Sequence, residues 1–131
     1  LKLSGEYQVH YNYLKEILMI KEGKVWGQTM PIIMNPSVEV HHINVELGGY
    51  CSKHAHQSKW NAFYVLSGEL EIMRWKDYGL CDSTWLTKGG WSLVPPGEYH
   101  KFMAHQETEA LELYWAELNH DDIMRENVGG I

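Results

Sequence analysis

The fold is decided by the stretch Gly48-Gly49-Tyr50-Cys51-Ser52-Lys53-His54-Ala55-His56-Gln57-Ser58-Lys59-Trp60-Asn61-Ala62-Phe63-Tyr64-Val65-Leu66-Ser67-Gly68. His54 and His56 stand in H-x-H spacing. On an extended backbone this spacing points both imidazoles to one face, because side chains alternate along a strand. An apolar run follows and ends at Leu66-Ser67-Gly68-Glu69, a turn in which glycine supplies the positive φ. Downstream, Gly89-Gly90-Trp91-Ser92-Leu93-Val94-Pro95-Pro96-Gly97-Glu98-Tyr99-His100 carries a third imidazole past a proline–glycine corner. Proline has no N–H to give to a ladder, so that corner ends one strand and fixes where His100 enters the next. A histidine arriving on a distant strand completes a set of ligands facing the inside of a barrel. Neutral imidazole is a borderline ligand, suited to divalent transition metals such as Fe, Mn, Ni or Zn.

Outward from these segments, glycines and prolines punctuate short apolar runs at intervals of about ten residues, the rhythm of an all-β sandwich or barrel. The expected strands cover 17–21, 25–29, 38–47, 51–56, 62–66, 69–75, 83–86, 91–94, 100–104 and 110–117, with a turn at Lys21-Glu22-Gly23-Lys24. Ile43, Val45 and Leu47 share one face of their strand. Residues 11–20 fit either a short helical stripe (Leu14, Ile17, Leu18) or, in their second half, a first strand. The polar stretch 121–131 ends in Gly129-Gly130 and reads as a tail outside the barrel. No repeat or linker divides the 131 residues, which are enough for one domain with its own core.

Composition narrows the function. Apolar residues make up 44% and charged residues 21%, an ordinary globular balance. The net charge of −6 comes with no basic block, which argues against a nucleic-acid partner whose phosphates need a cationic face. No apolar run is long enough to span a bilayer, and residues 1–10 show no secretory pattern. Cys51 and Cys81 lack metal-ligand spacing and are too few for a disulfide scaffold, so reduced thiols in a cytoplasmic protein are expected. A single Cys51–Cys81 bridge is the alternative.

The two histidine segments together resemble the paired motifs of the cupin superfamily, G-x5-H-x-H-x4-E-x6-G and G-x5-P-x-G-x2-H-x3-N. Here the first runs from Gly48 through His54, His56 and Asn61 to Gly68, and the second from Gly89 through Pro95, Gly97 and His100 to Ala104. The resemblance implies a small antiparallel double-stranded β-helix, a jelly roll with its barrel core at about 25–118, usually forming a homodimer. It also implies a metal held inside by His54, His56 and His100. Asn61 stands at the glutamate position and Ala104 at the closing asparagine. Asn61 either ligates through its amide oxygen or hydrogen-bonds a histidine or a bound water. Three imidazoles without a carboxylate leave the site near a charge of +2, which favours anionic substrates and an acidic bound water. Such sites resemble those of iron-dependent thiol and ring-cleaving dioxygenases. Lys24-Val25-Trp26-Gly27 is similar to a K-x-W-G opening found in isomerase and epimerase-type cupins.

The functional expectation is a metal-dependent enzyme, dioxygenase or isomerase/epimerase in type, acting on a small polar or anionic metabolite. A non-catalytic cupin that binds a small ligand is the competing class, with the histidines only hydrogen-bonding as its extreme form. Phe63, Val65 and Phe102 are read as core. His41 shares the parity of Ile43 and either reaches the cavity or, as is commoner, is a satisfied structural histidine, and Trp115 is placed with Leu111 and Leu113 at a barrel mouth. Glu107, Glu109, Glu112 and Glu117 are read as one solvated face, and His10, His105 and His120 as surface groups.

Overall fold

A computed structural model describes residues 22–76, 79 and 81–131; the expected segments at 11–20 and 17–21 and the surface assignment of His10 lie outside them. Among the described residues nine strands follow one another: β1 (Glu22–Lys24), β2 (Gly27–Met34), β3 (Val38–Val45), β4 (Trp60–Ser67), β5 (Leu70–Trp75), β6 (Cys81–Leu86), β7 (Trp91–Val94), β8 (Tyr99–Ala104) and β9 (Thr108–Trp115). They form two sheets, ordered β1-β2-β3-β9-β4-β7 and β6-β5-β8, with every pairing antiparallel. This is the expected all-β double-sheet barrel. Among the described residues no helix is long and apolar enough to cross a membrane.

The period of two decides what lies between the sheets. Ile43 and Val45 from β3, Phe63 and Val65 from β4, Leu70 and Ile72 from β5, Phe102 and Ala104 from β8 and Ala110 from β9 are all buried. Phe102 is the hub, with Trp26 edge-on at 5.1 Å and Phe63 edge-on at 5.8 Å. Leu47 leaves this set: β3 ends at Val45, and Leu47 is exposed.

Two local expectations are corrected. The reversal near the start falls at Val25-Trp26 and not at residues 21–24, because Glu22–Lys24 pairs as β1 with Gly27–Thr29. Trp26 has its ring against Phe102, while Val25 is left in solvent. Gly27 permits the turn: φ is 151°, and a Cβ there would stand 1.9 Å from the Asn44 carbonyl oxygen. Residues 51–56 form no strand. They run beside β8 as isolated bridges, Tyr50 to Met103 and His54 to His100. The Ser52 carbonyl, which a ladder would use, is taken by the His54 ring at 2.7 Å. Cys51 and Cys81 are both free thiols, as the sequence reading expects, and the bridge alternative falls.

Gly68 turns β4 into β5 at φ 93°, and a Cβ would meet the Glu107 carbonyl oxygen at 2.4 Å and Thr108 Oγ1 at 2.6 Å. Gly68→Ala therefore combines a disfavoured φ with a backbone clash. It should cost about 1–3 kcal/mol, read as a drop in the thermal midpoint of roughly 3–10 °C. An unchanged thermal midpoint would mean that this turn relaxes freely.

Candidate metal centre

His100 sits on β8 and is 1% exposed. Its strand is pinned by Glu98, which receives two bonds from the Arg74 guanidinium, at 3.1 and 2.9 Å. His54 reaches it through reciprocal backbone bonds: His54 N–H donates to the His100 carbonyl at 3.1 Å and His100 N–H returns at 2.8 Å. The proline–glycine corner delivers His56, since the Gly97 N–H donates to the His56 carbonyl at 2.7 Å. The H-x-H pair thus converges without a strand to align it. Ring centroids lie 4.9 Å (His54–His56), 4.6 Å (His54–His100) and 5.3 Å (His56–His100) apart. One nitrogen from each ring lies within 4.8 Å of the others.

The tautomers follow from the hydrogen bonds. His54 Nδ1–H donates to the Ser52 carbonyl at 2.7 Å, and His100 Nδ1–H donates to the Glu98 carbonyl at 3.0 Å. Each ring is left with an unprotonated Nε2, the ligand form, oriented from behind by a backbone carbonyl. His56 Nε2 is buried and has no hydrogen-bond partner among the described residues. Burial, reinforced by nearby Lys59, His54 and His100, pushes the His56 pKa down to about 4. Burial likewise lowers that of His100. Both imidazoles are neutral at pH 7.

Asn61, on β4, is fully buried and lies opposite Tyr114 of β9 and Val94 of β7. Its Nδ2 donates to the Leu113 carbonyl at 3.0 Å, which fixes the amide orientation. Oδ1 then faces His100 Nε2 at 2.9 Å. Two lone pairs confront each other at that distance, because His100 already carries its proton on Nδ1. A shared cation removes the conflict. A proton is disfavoured by the lowered His100 pKa, whereas a metal ion suits both atoms and also the orphaned His56 nitrogen. The donor set fits a divalent transition metal.

The cluster opens on a cavity of about 320 Å³ whose lining includes His54 and, from the other walls, Glu39, His41, Lys59, Glu112 and Tyr114. Three readings of the sequence are corrected here, those of Glu112, Trp115 and His105. Glu112 does not belong to a solvated face. Thr108 and Ala110 of β9 are buried, and the same parity carries Glu112 and Tyr114 into the barrel. Parity alone would have separated Glu112 from Glu107, Glu109 and Glu117. Burial raises the Glu112 pKa, against the opposing pull of the Tyr114 hydroxyl. Burial and the Glu112 charge raise that of Tyr114. Trp115 shares the outward face with Leu111 and Leu113 and stacks on Trp60 at 6.4 Å, outside the barrel. That outer hollow, about 540 Å³, holds none of the three clustered histidines. His41 belongs to the cavity wall. His105, read as a plain surface group, is half-buried; it stacks on Trp85 at 3.9 Å and bonds Glu71 at 2.8 Å. The Cys51 thiol also lines the cavity, but burial pushes its pKa up to about 11, away from thiolate chemistry.

No protein-family model and no curated protein sequence matches the chain. Solved structures do. KdgF from Halomonas sp. superposes with a TM-score of 0.66 at 17% identity, over 80% of this chain and 91% of that one. An RmlC-like cupin from Shewanella frigidimarina gives 0.61 at 21% identity, over 79% and 88%. Oxalate decarboxylase from Bacillus subtilis, a protein with Mn(II) centres, gives 0.64 at 14% identity, over 76% of this chain and 28% of its own length. With its two antiparallel sheets closed around a histidine cluster, the chain has the cupin fold.

Proposed function

We propose that this chain is a metal-dependent enzyme acting on a small polar or anionic metabolite, with His54, His56, His100 and Asn61 holding one divalent transition metal. The observation that carries the reading is the orphaned Nε2 of His56, buried beside two other correctly tautomerised imidazoles at the end of a polar cavity. When bound, Fe, Mn, Ni or Zn supplies a Lewis acid for a ligand oxygen and, in the case of iron, a site for dioxygen. The chain's own residues do the rest. Glu98 and Ser52 carbonyls hold two imidazoles in the ligand tautomer. Lys59 lies over the Tyr114 ring at 4.2 Å and brings a positive charge to the cavity. Glu39, His41 and Glu112 supply groups able to carry protons. An outward apolar face built from Trp60, Leu111, Leu113 and Trp115 supports the homodimer as part of the proposal.

Protein purified without an immobilised-metal column should contain close to one equivalent of a transition metal by elemental analysis. Stripping it with chelator should lower the thermal midpoint, and adding the metal back should restore it, because a ligand bound only to the folded state stabilises that state. Metal-free protein whose melting does not respond to any of the four ions would sink the proposal.

A further inference from the structure

Resting on that reading, we infer that the substrate is anionic at both ends, one end on the metal and the other on Lys59 in a subsite beside the cavity. Lys59 borders two hollows. One is the cavity of about 320 Å³ that His54 lines, and the other, of about 190 Å³, lies between the β2–β3 turn and the end of β9. Glu39 and Tyr114 are the other residues common to both. Lys59 Nζ stands over the Tyr114 ring at 4.2 Å, and His56 meets the same ring edge-on at 5.2 Å. One aromatic ring thus separates the ammonium from the histidine cluster, a gap that a chain of a few carbons spans.

The smaller hollow is built to donate hydrogen bonds. Asn35 Oδ1 accepts from the Ser37 N–H at 2.7 Å and from the Val38 N–H at 2.9 Å. These two bonds occupy the acceptor end of the amide and fix its orientation, which leaves Nδ2 as a donor. Ser37 and Ser58 add exposed hydroxyls. Glu39, the acid on this wall, has its Oε2 taken by the His41 ring at 3.0 Å. Lys59 pairs with no carboxylate among the described residues, although Glu39 and Glu112 line the same cavity. The set has one cation and several donors, and it lacks acceptor oxygens with a negative charge. A carboxylate or a phosphate ester supplies both. At the other end the uncompensated charge of a dication on neutral imidazoles takes the second anionic group. Lys59 is therefore a specificity-determining residue, which selects acids with two anionic ends over those with one.

Succinate, butyrate and 3-phosphonopropionate serve as probes, titrated calorimetrically into metal-loaded protein. Succinate and butyrate have the same carbon count and differ by one carboxylate. One charge-assisted bond should make the two-ended acids bind about tenfold to a hundredfold tighter than butyrate. Lys59→Met keeps a stem on the Tyr114 ring and removes the charge, and it should bring succinate to the level of butyrate. Lys59→Gln provides a second variant if the first misfolds. Lys59→Arg should keep most of the preference, a rescue that mere packing of the stem would not give. The tighter of succinate and 3-phosphonopropionate tells carboxylate from phosphate at the Lys59 end. A metal-loaded wild type that does not prefer the two-ended acids, or a preference that outlasts loss of the Lys59 charge in a folded variant, overturns the inference and leaves the metal assignment standing. Failure to load metal overturns the assignment itself.

Discussion

His56→Ala is expected to strip the protein of metal. The substitution removes an imidazole nitrogen that is buried without a partner among the described residues, and leaves His54 and His100 whose outer nitrogens are already committed to Ser52 and Glu98. Loss of an outer-sphere partner alone weakens metal sites by about 10–100-fold, so loss of a ligand should exceed roughly a hundredfold. Elemental analysis should find the variant empty under conditions that load the parent. Its fold should survive, because the cost of the space left behind is offset by removal of an unsatisfied buried polar atom.

The acid response of metal-free protein tests the burial of His56 separately from its metal binding. Its pKa lies at about 4 in the folded chain against an ordinary 6.5, so the unfolded chain takes up the proton first as pH falls. Metal-free protein should therefore be indifferent to His56 above pH 6.5 and lose stability between 6.5 and about 4. His100 acts in the same direction. His56→Ala should flatten that part of the curve in metal-free melts. An unchanged acid limb together with retained metal would remove His56 from the site.

How much of this was legible before any coordinates can be argued residue by residue. The joint frame of Gly48, His54, His56, Gly68, Gly89, Pro95, Gly97 and His100 was enough for the barrel and the histidine cluster, because turn chemistry and ligand type are local properties. The strand expected at 51–56 failed for a reason the alternation rule does not contain: the His54 ring captures the Ser52 carbonyl, and two isolated bridges replace a ladder. The convergence of the imidazoles survived, since the backbone bonds at His54, His56 and Gly97 impose it. Glu112 and Glu39 were hidden differently. A charged residue on a strand ordinarily faces solvent, and only the pairing of β9 between β3 and β4 turns this parity inward. The information was present in Thr108, Ala110, Glu112 and Tyr114 as an every-second pattern whose first members are small. What sequence could not supply was the cross-strand register that sets His41 opposite Glu112 and Asn61 opposite Tyr114.

Asn61→Asp is expected to split the behaviour of the two states. The side chains are nearly isosteric, so the new carboxylate takes the place of the amide, with one oxygen 2.9 Å from His100 Nε2 and the other toward the Leu113 carbonyl at about the present 3.0 Å. Without metal this is unfavourable twice over. The Leu113 carbonyl loses its donor, and a full charge sits where the parent residue has no exposed surface. Together these should cost about 2–4 kcal/mol near pH 8. The penalty should shrink on acidification, because burial raises the carboxyl pKa in the folded state and protonation restores a donor. With metal the order reverses. A carboxylate binds a hard or borderline dication more strongly than an amide oxygen does, and affinity should rise on the order of tenfold to a hundredfold. Calorimetric titration with Mn(II) and Zn(II), beside melts with and without each ion, reads both effects on one variant. Tighter binding with a weaker apo fold places Asn61 on the metal. A weaker apo fold with unaltered affinity would leave Asn61 as a prop for His100, its amide filling the place of glutamate without performing its task.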